Sequence, residues 1–197
     1  MQQKAVTMMD VLFPRATLAR DVLLVLSFSA VTALCAQIAF WIGPVPITGQ
    51  TFAVLLAGAL LGSKRGALSQ LTYLGMGAMG APVFAGWMGG PAVLLGPTGG
   101  YLLGFVAAAF VVGFLAERGW DRRLWSTALA MLIGSIVMYA FGLAWLAFWL
   151  DRFAPESSVL SVGLYPFIPG DLFKLVLAAT ALPSGWKLVN RLGKAMR

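Results

Sequence analysis

Asp171 and Lys174 are ionisable residues in an otherwise apolar neighbourhood, Pro166-Phe167-Ile168-Pro169-Gly170-Asp171-Leu172-Phe173-Lys174. Three positions apart on a helix, they share one face. An ionisable group inside a membrane segment carries a penalty of at least about 2.5 kcal/mol, so it usually marks a site. An acid beside an amine suits a small ligand that offers both N–H donors and an anionic group. The helix start signalled by Pro169-Gly170 adds a partial positive charge that favours a carboxylate. The plainer reading makes Asp171 the helix N-cap and Lys174 its partner.

Two further segments hold polar groups of the right kind. In Leu95-Gly96-Pro97-Thr98-Gly99-Gly100-Tyr101-Leu102 the glycines permit close backbone approach, and the N–H groups opening the next helix are unpaired donors. A turn capped by Thr98 explains the same residues. In Pro44-Val45-Pro46-Ile47-Thr48-Gly49-Gln50-Thr51, Gln50 and Thr51 lead into a helix, and capping alone accounts for Thr48 or Thr51.

Enzymatic chemistry finds little support. The chain has 0 histidines, which removes the commonest general base and metal ligand. Gly58-Ala59-Leu60-Leu61-Gly62-Ser63-Lys64 lacks the spacing of a phosphate loop. No nucleophile–base pair is visible. The expectation is a non-enzyme with no catalytic residue, no metal site and no cofactor.

These residues need elements to hold them, and composition says which. Of 197 residues, 60% are apolar and 11% charged, against roughly 25% charged in soluble domains. The net charge of +7 is scattered in short patches between apolar runs, too short to follow a phosphate backbone, so nucleic acid is not an expected partner. About 20 apolar residues cross a bilayer, and 22–41 satisfies this. Gly43-Pro44-Val45-Pro46 then breaks the helix. Short helices follow over 51–61 and 66–79. Residues 80–100 are too rich in glycine and proline for a regular helix and read as an ordered loop over a pocket. Helices over 101–116, 124–150 and 171–186 complete the chain, with a second loop over 151–169.

The expected fold is an all-α integral membrane protein of about six transmembrane helices. It divides into an N-terminal segment 1–21, a substrate-binding body 22–186 and a basic tail 187–197. The apolar run that follows Arg20 is too long for a signal peptide, and Leu34 is too bulky to precede a cleavage site. The lone Cys35 permits no intrachain disulfide.

Six crossings put both termini on one side with the turns at 62–65 and 117–123. That side collects 12 of the 14 cations, leaving Arg152 opposite and Lys174 inside a helix. The positive-inside rule makes it cytoplasmic. Trp41 and Trp149 fall at outer helix ends, and Trp120, Trp125 and Trp186 at inner ends, as interfacial belts do. On the first helix Ser29, Ala33 and Ala36 form a small-residue stripe, suited either to packing within the chain or to a partner helix.

Together, PVPITGQTFAVLLAGALLGSKRGALSQLTYLGMGAMGAPVFAG at 44–86, LLGPTGGYLLGF at 94–105 and PFIPGDLFK at 166–174 resemble the BioY family. These are the biotin-specific S-components of energy-coupling factor (ECF) transporters. The segments stand in the family's order over most of the chain, and Trp87-Met88 stands where smaller residues are expected before Gly89-Gly90. The resemblance implies an S-component bundle in the cell inner (cytoplasmic) membrane, with biotin held beneath the outer loops. It implies partnership with an ECF coupling membrane subunit and an ATPase pair, which would explain the missing phosphate loop. Asp171 would accept from the ureido N–H groups, and Lys174 would meet the carboxylate or the ureido oxygen. Thr98, Gly99, Gly100 and Gln50 would supply further polar contacts, with Tyr101, Phe84 and Trp87 packing on ring and tail. Ser29, Ala33 and Ala36 would face the coupling subunit. The rival readings are an S-component for another vitamin and an ion-coupled transporter in which Asp171 carries the proton.

Overall fold

The structure is a computed structural model and describes residues 7–195. Lys4, Arg197 and the side chain of Lys194, assigned above to the two tails, lie outside what it describes. The elements in chain order are α1 (Met8–Leu12), α2 (Leu18–Ala36), β1 (Ala39–Trp41), β2 (Pro46–Thr48), α3 (Gln50–Leu61), α4 (Ser63–Ala78), α5 (Pro91–Leu95), α6 (Gly99–Ala116), α7 (Leu124–Phe153), α8 (Val159–Gly163) and α9 (Ile168–Ala195). Six long helices, α2, α3, α4, α6, α7 and α9, make the bundle. Among the described residues, four stretches are long and apolar enough to cross a membrane: α2, α6, α7 and Val159–Val189, which runs into α9.

Helix α6 is the hub, packed on α3, α4 and α7. Small residues bring the backbones together, as in membrane bundles generally. A Cβ on Gly58 of α3 would lie 2.4 Å from the Ala109 carbonyl oxygen, and one on Gly113 of α6 would lie 2.4 Å from the Gly62 carbonyl carbon. Gly62 itself turns the chain between α3 and α4 with φ +86°, a conformation that favours glycine. Glu117 at the foot of α6 holds this turn, accepting from the Ser63 backbone N–H at 2.7 Å and its hydroxyl at 2.9 Å.

At the same end, α1 is fastened by ion pairs. Arg65 donates to Asp10 at 2.8 Å and to Asp21 at 3.0 Å, and Arg20 also pairs with Asp10. Burial pushes the Asp10 carboxyl up, but hydrogen bonds from Arg20, Thr7 and Arg65 and the Arg65 charge outweigh it, holding its pKa at about 2.

Several sequence expectations are corrected here. Helix α2 runs Leu18–Ala36 rather than 22–41, because the chain beyond Ala36 turns into a hairpin that pairs Ala39 with Thr48, Phe40 with Ile47 and Trp41 with Pro46. Gly43 takes φ +84° in its loop. Within the glycine-rich stretch, Pro91–Leu95 forms a helix after all: its residues include no glycine, and Pro91 opens it where a proline is tolerated. Helix α9 begins at Ile168, so Asp171 lies in its first turn and is not its cap. Trp186 is no interfacial anchor; it is 5% exposed and donates its indole N–H to Asp121.

The small-residue stripe is also reassigned. Ser29 and Ala36 are both 0% exposed, and Ser29 Oγ donates to the Ser69 carbonyl of α4 at 2.6 Å. Ala33 is half-buried against the core. Covered in this way, Ser29 and Ala36 serve packing within the chain, and Ala33 stays half-buried beside them.

Candidate functional site

Opposite the Asp10 cluster, the hairpin, the 80–98 segment and the first turns of α3 and α6 enclose a cavity of about 390 Å³. Ligand pockets typically span roughly 300–1,000 Å³ and are mostly apolar with a few placed polar groups. This one fits that description. Its apolar wall includes Val45, Phe84, Tyr101, Leu102 and Phe105, and its polar groups include Thr48, Gln50, Thr51 and Thr98.

Each polar group is there for a local reason. Gln50 and Thr51 open α3 immediately after the hairpin, which turns their side chains inward beside Thr48. Gln50 is 4% exposed, and among the described residues its side-chain amide meets no hydrogen-bond partner, so the amide is available to a ligand. Thr98 sits at the start of α6 without a side-chain capping bond. The capping reading of Thr98 therefore falls, and its hydroxyl belongs to the cavity wall.

Asp171 and Lys174 stand behind this wall, with side chains 17% and 15% exposed. Lys174 Nζ donates to Asp171 Oδ1 at 3.0 Å, to Thr51 Oγ1 at 2.7 Å and to the Thr48 carbonyl at 3.0 Å. Tyr139 of α7 donates its hydroxyl to Asp171 Oδ2. The pair thus ties α9 to α7, to the hairpin and to the start of α3. A buried charge is tolerable when it is paired and hydrogen-bonded in this way. Tyr139 in turn packs edge-on against Tyr101, with ring centroids 6.1 Å apart, and Tyr101 donates to the Gly163 carbonyl at 2.8 Å. The aromatic cavity wall and the ionic cluster are one connected unit.

Of the residues singled out from sequence, Gln50, Phe84, Thr98 and Tyr101 line the cavity, and Asp171 and Lys174 adjoin it through Thr48 and Thr51. Gly99, Gly100 and Trp87 do not line it. A Cβ on Gly99 would lie 1.8 Å from the Leu94 carbonyl oxygen and one on Gly100 2.2 Å from Trp145 Cβ, so these glycines serve close packing. Trp87 is 65% exposed, and its backbone N–H donates to Gln37 at 3.0 Å. Tyr139 went unrecognised in the sequence. The available signal was a tyrosine inside an apolar span, whose hydroxyl needs a partner when buried.

The sequence model of the BioY family matches residues 2–191. The chain belongs to the BioY family. It is similar to a probable biotin transporter BioY of Pyrococcus horikoshii, 47% identical over 164 residues that cover 83% of this chain and 93% of that one. It is also similar to the biotin transporter BioY of Thermotoga maritima, 45% identical over 77% of this chain and 87% of the relative. A crystal structure of the S-component for biotin from an ECF-type ABC transporter superposes with a TM-score of 0.72 at 30% identity, covering 89% of this chain and 92% of that one. The BioY bundle described above is therefore an S-component fold, and a BioY protein is a transport protein rather than an enzyme.

Proposed function

We propose that the chain captures biotin in the hairpin-side cavity and acts as the substrate-binding membrane subunit of an ECF-type transporter. The observation that carries this reading is the cavity itself: an aromatic chamber with a part-buried Asp171–Lys174–Thr51 cluster against its wall, in a chain of the BioY family. Biotin matches it group by group. Its sulfur ring and aliphatic tail suit Phe84, Tyr101 and Phe105, and its ureido group suits the polar groups on and behind the wall. Asp171 is the acceptor for ureido N–H groups. Gln50 and Thr98 are free to take up the remaining polar atoms.

In this account residues 22–186 are the binding body in the cell inner membrane, with the flanks 1–21 and 187–197 in the cytoplasm. The cavity opens outward, and a coupling membrane subunit with an ATPase pair supplies the energy. Charge placement supports the orientation. The test is uptake of labelled biotin into proteoliposomes holding the chain with and without the coupling subunit and ATPases. ATP-dependent uptake with the complete set is expected. Uptake driven by an imposed pH gradient, without the ATPases, would instead favour ion coupling.

A further inference from the structure

We infer that Gln37 is a positioning residue for the cavity wall: its side-chain amide holds the Phe84–Met88 turn in a backbone conformation that the tryptophan at 87 disfavours. The consequence for ligand affinity rests on the biotin reading. The turn supplies Phe84, Ala85 and Met88 to the cavity, so its shape sets that part of the wall. It is closed by the Phe84 N–H, which donates to the Met88 carbonyl at 2.9 Å. Within it Gly86 takes φ +68° and Trp87 takes φ +59°. Glycine adopts left-handed backbone freely. A bulky residue there is strained and persists only where its surroundings hold it.

The Trp87 side chain offers little hold, since its ring is 65% exposed and stands outside the cavity lining. The Phe84 ring is fixed separately, edge-on against Tyr73 of α4 with centroids 5.4 Å apart. The backbone of the turn is gripped by Gln37, which follows the last residue of α2. Gln37 Nε2 donates to the Phe84 carbonyl at 3.1 Å and to the Ala33 carbonyl at 3.1 Å, and Gln37 Oε1 accepts from the Trp87 N–H at 3.0 Å. Two carbonyls on one side and an N–H on the other fix which end of the amide points where. The Ala33 carbonyl is one of the last four of α2, which a helix leaves without internal partners. One amide therefore joins the end of α2 to both arms of the turn. Gln37 does not itself line the cavity, so it acts through the turn.

The test is a double-mutant cycle read by titration of biotin into the purified chain. Gln37→Leu should weaken binding about tenfold, roughly 1.4 kcal/mol, because the wall is no longer held before the ligand arrives. Trp87→Gly removes the strain and should bind within about threefold of wild type. Placed on Trp87→Gly, the leucine substitution should cost no more than about threefold, since glycine takes the same backbone unaided. A merely structural loss at the end of α2 would be the same in both backgrounds. Equal losses in both, or no loss in either, would overturn the assignment and leave biotin capture standing. Gln37→Met repeats the cycle should the leucine variant not fold, and an amide needed for folding in both backgrounds would also overturn it. Folded wild type that binds no biotin would overturn the biotin reading. Thermal midpoints of the same four proteins would then decide, by the same non-additivity, whether Gln37 holds the turn.

Discussion

At the residue scale, the Asp171 carboxylate is oriented before any ligand arrives. Tyr139 engages one oxygen, and Lys174 engages the other. Orientation held in advance spares a bound ligand the ordering that would otherwise weaken it. Tyr139→Phe removes one of these donors and keeps the ring against Tyr101. Biotin affinity should fall by roughly three- to tenfold, the worth of about one hydrogen bond of 0.5–1.5 kcal/mol. Isothermal titration checks this, and an unchanged affinity would mean that Asp171 does not need Tyr139 to act. Asp171 and Lys174 stand out in the sequence because charge is rare in an apolar segment. Their partners do not: Thr48, Thr51 and Tyr139 lie on other elements, and only packing reveals such neighbours. For the same reason Trp87 looked like a wall residue when read along the chain, yet its ring lies outside the wall.

At the element scale, close helix approach and ionic fastening are separate devices with separate signatures. Gly58→Val puts branched carbons where the Ala109 carbonyl already sits. Overpacking of this kind costs roughly 1–3 kcal/mol, so the thermal midpoint in detergent should drop, and an unaltered midpoint would contradict the α3–α6 contact. Fastening of α1 is pH-dependent. Asp10 titrates at about 2 in the fold against an ordinary 3.8. A depressed carboxylate stabilises the fold above its unfolded pKa, and that contribution fades as pH falls through the folded value. Wild type should therefore exceed Asp10→Asn in stability at neutral pH, and the gap should close on acidification between 3.8 and about 2. A gap independent of pH would show that the carboxylate charge is not what holds α1. Helix positions were readable from hydropathy. The hairpin was not, because two three-residue strands leave no periodicity to detect, and Gly43-Pro44-Val45-Pro46 signals only that a helix has stopped. The inward use of the Ser29–Ala36 stripe was likewise undecidable, since small residues serve close packing whichever helix approaches.

At the scale of the whole molecule, the two ends of the bundle have different work. One end carries the cationic turns and the α1 fastening, and the other carries the cavity. With Cys35 replaced by Ser, a single cysteine at Glu156 should react with an impermeant thiol reagent in intact cells. One at Lys187 should react only after permeabilisation, both positions being exposed. The reverse pattern would invert the bundle and put the cavity on the cytoplasmic side. The central claim is that this cavity binds biotin through the cluster behind its wall. Calorimetric titration of biotin into the purified chain, beside folded Asp171→Asn and Lys174→Met variants, tests it most directly. The account predicts tight binding at one site in wild type, weakened at least about tenfold in both variants, roughly 1.4 kcal/mol or more. Folded wild type that takes up no biotin, or variants that bind it as wild type does, would contradict it.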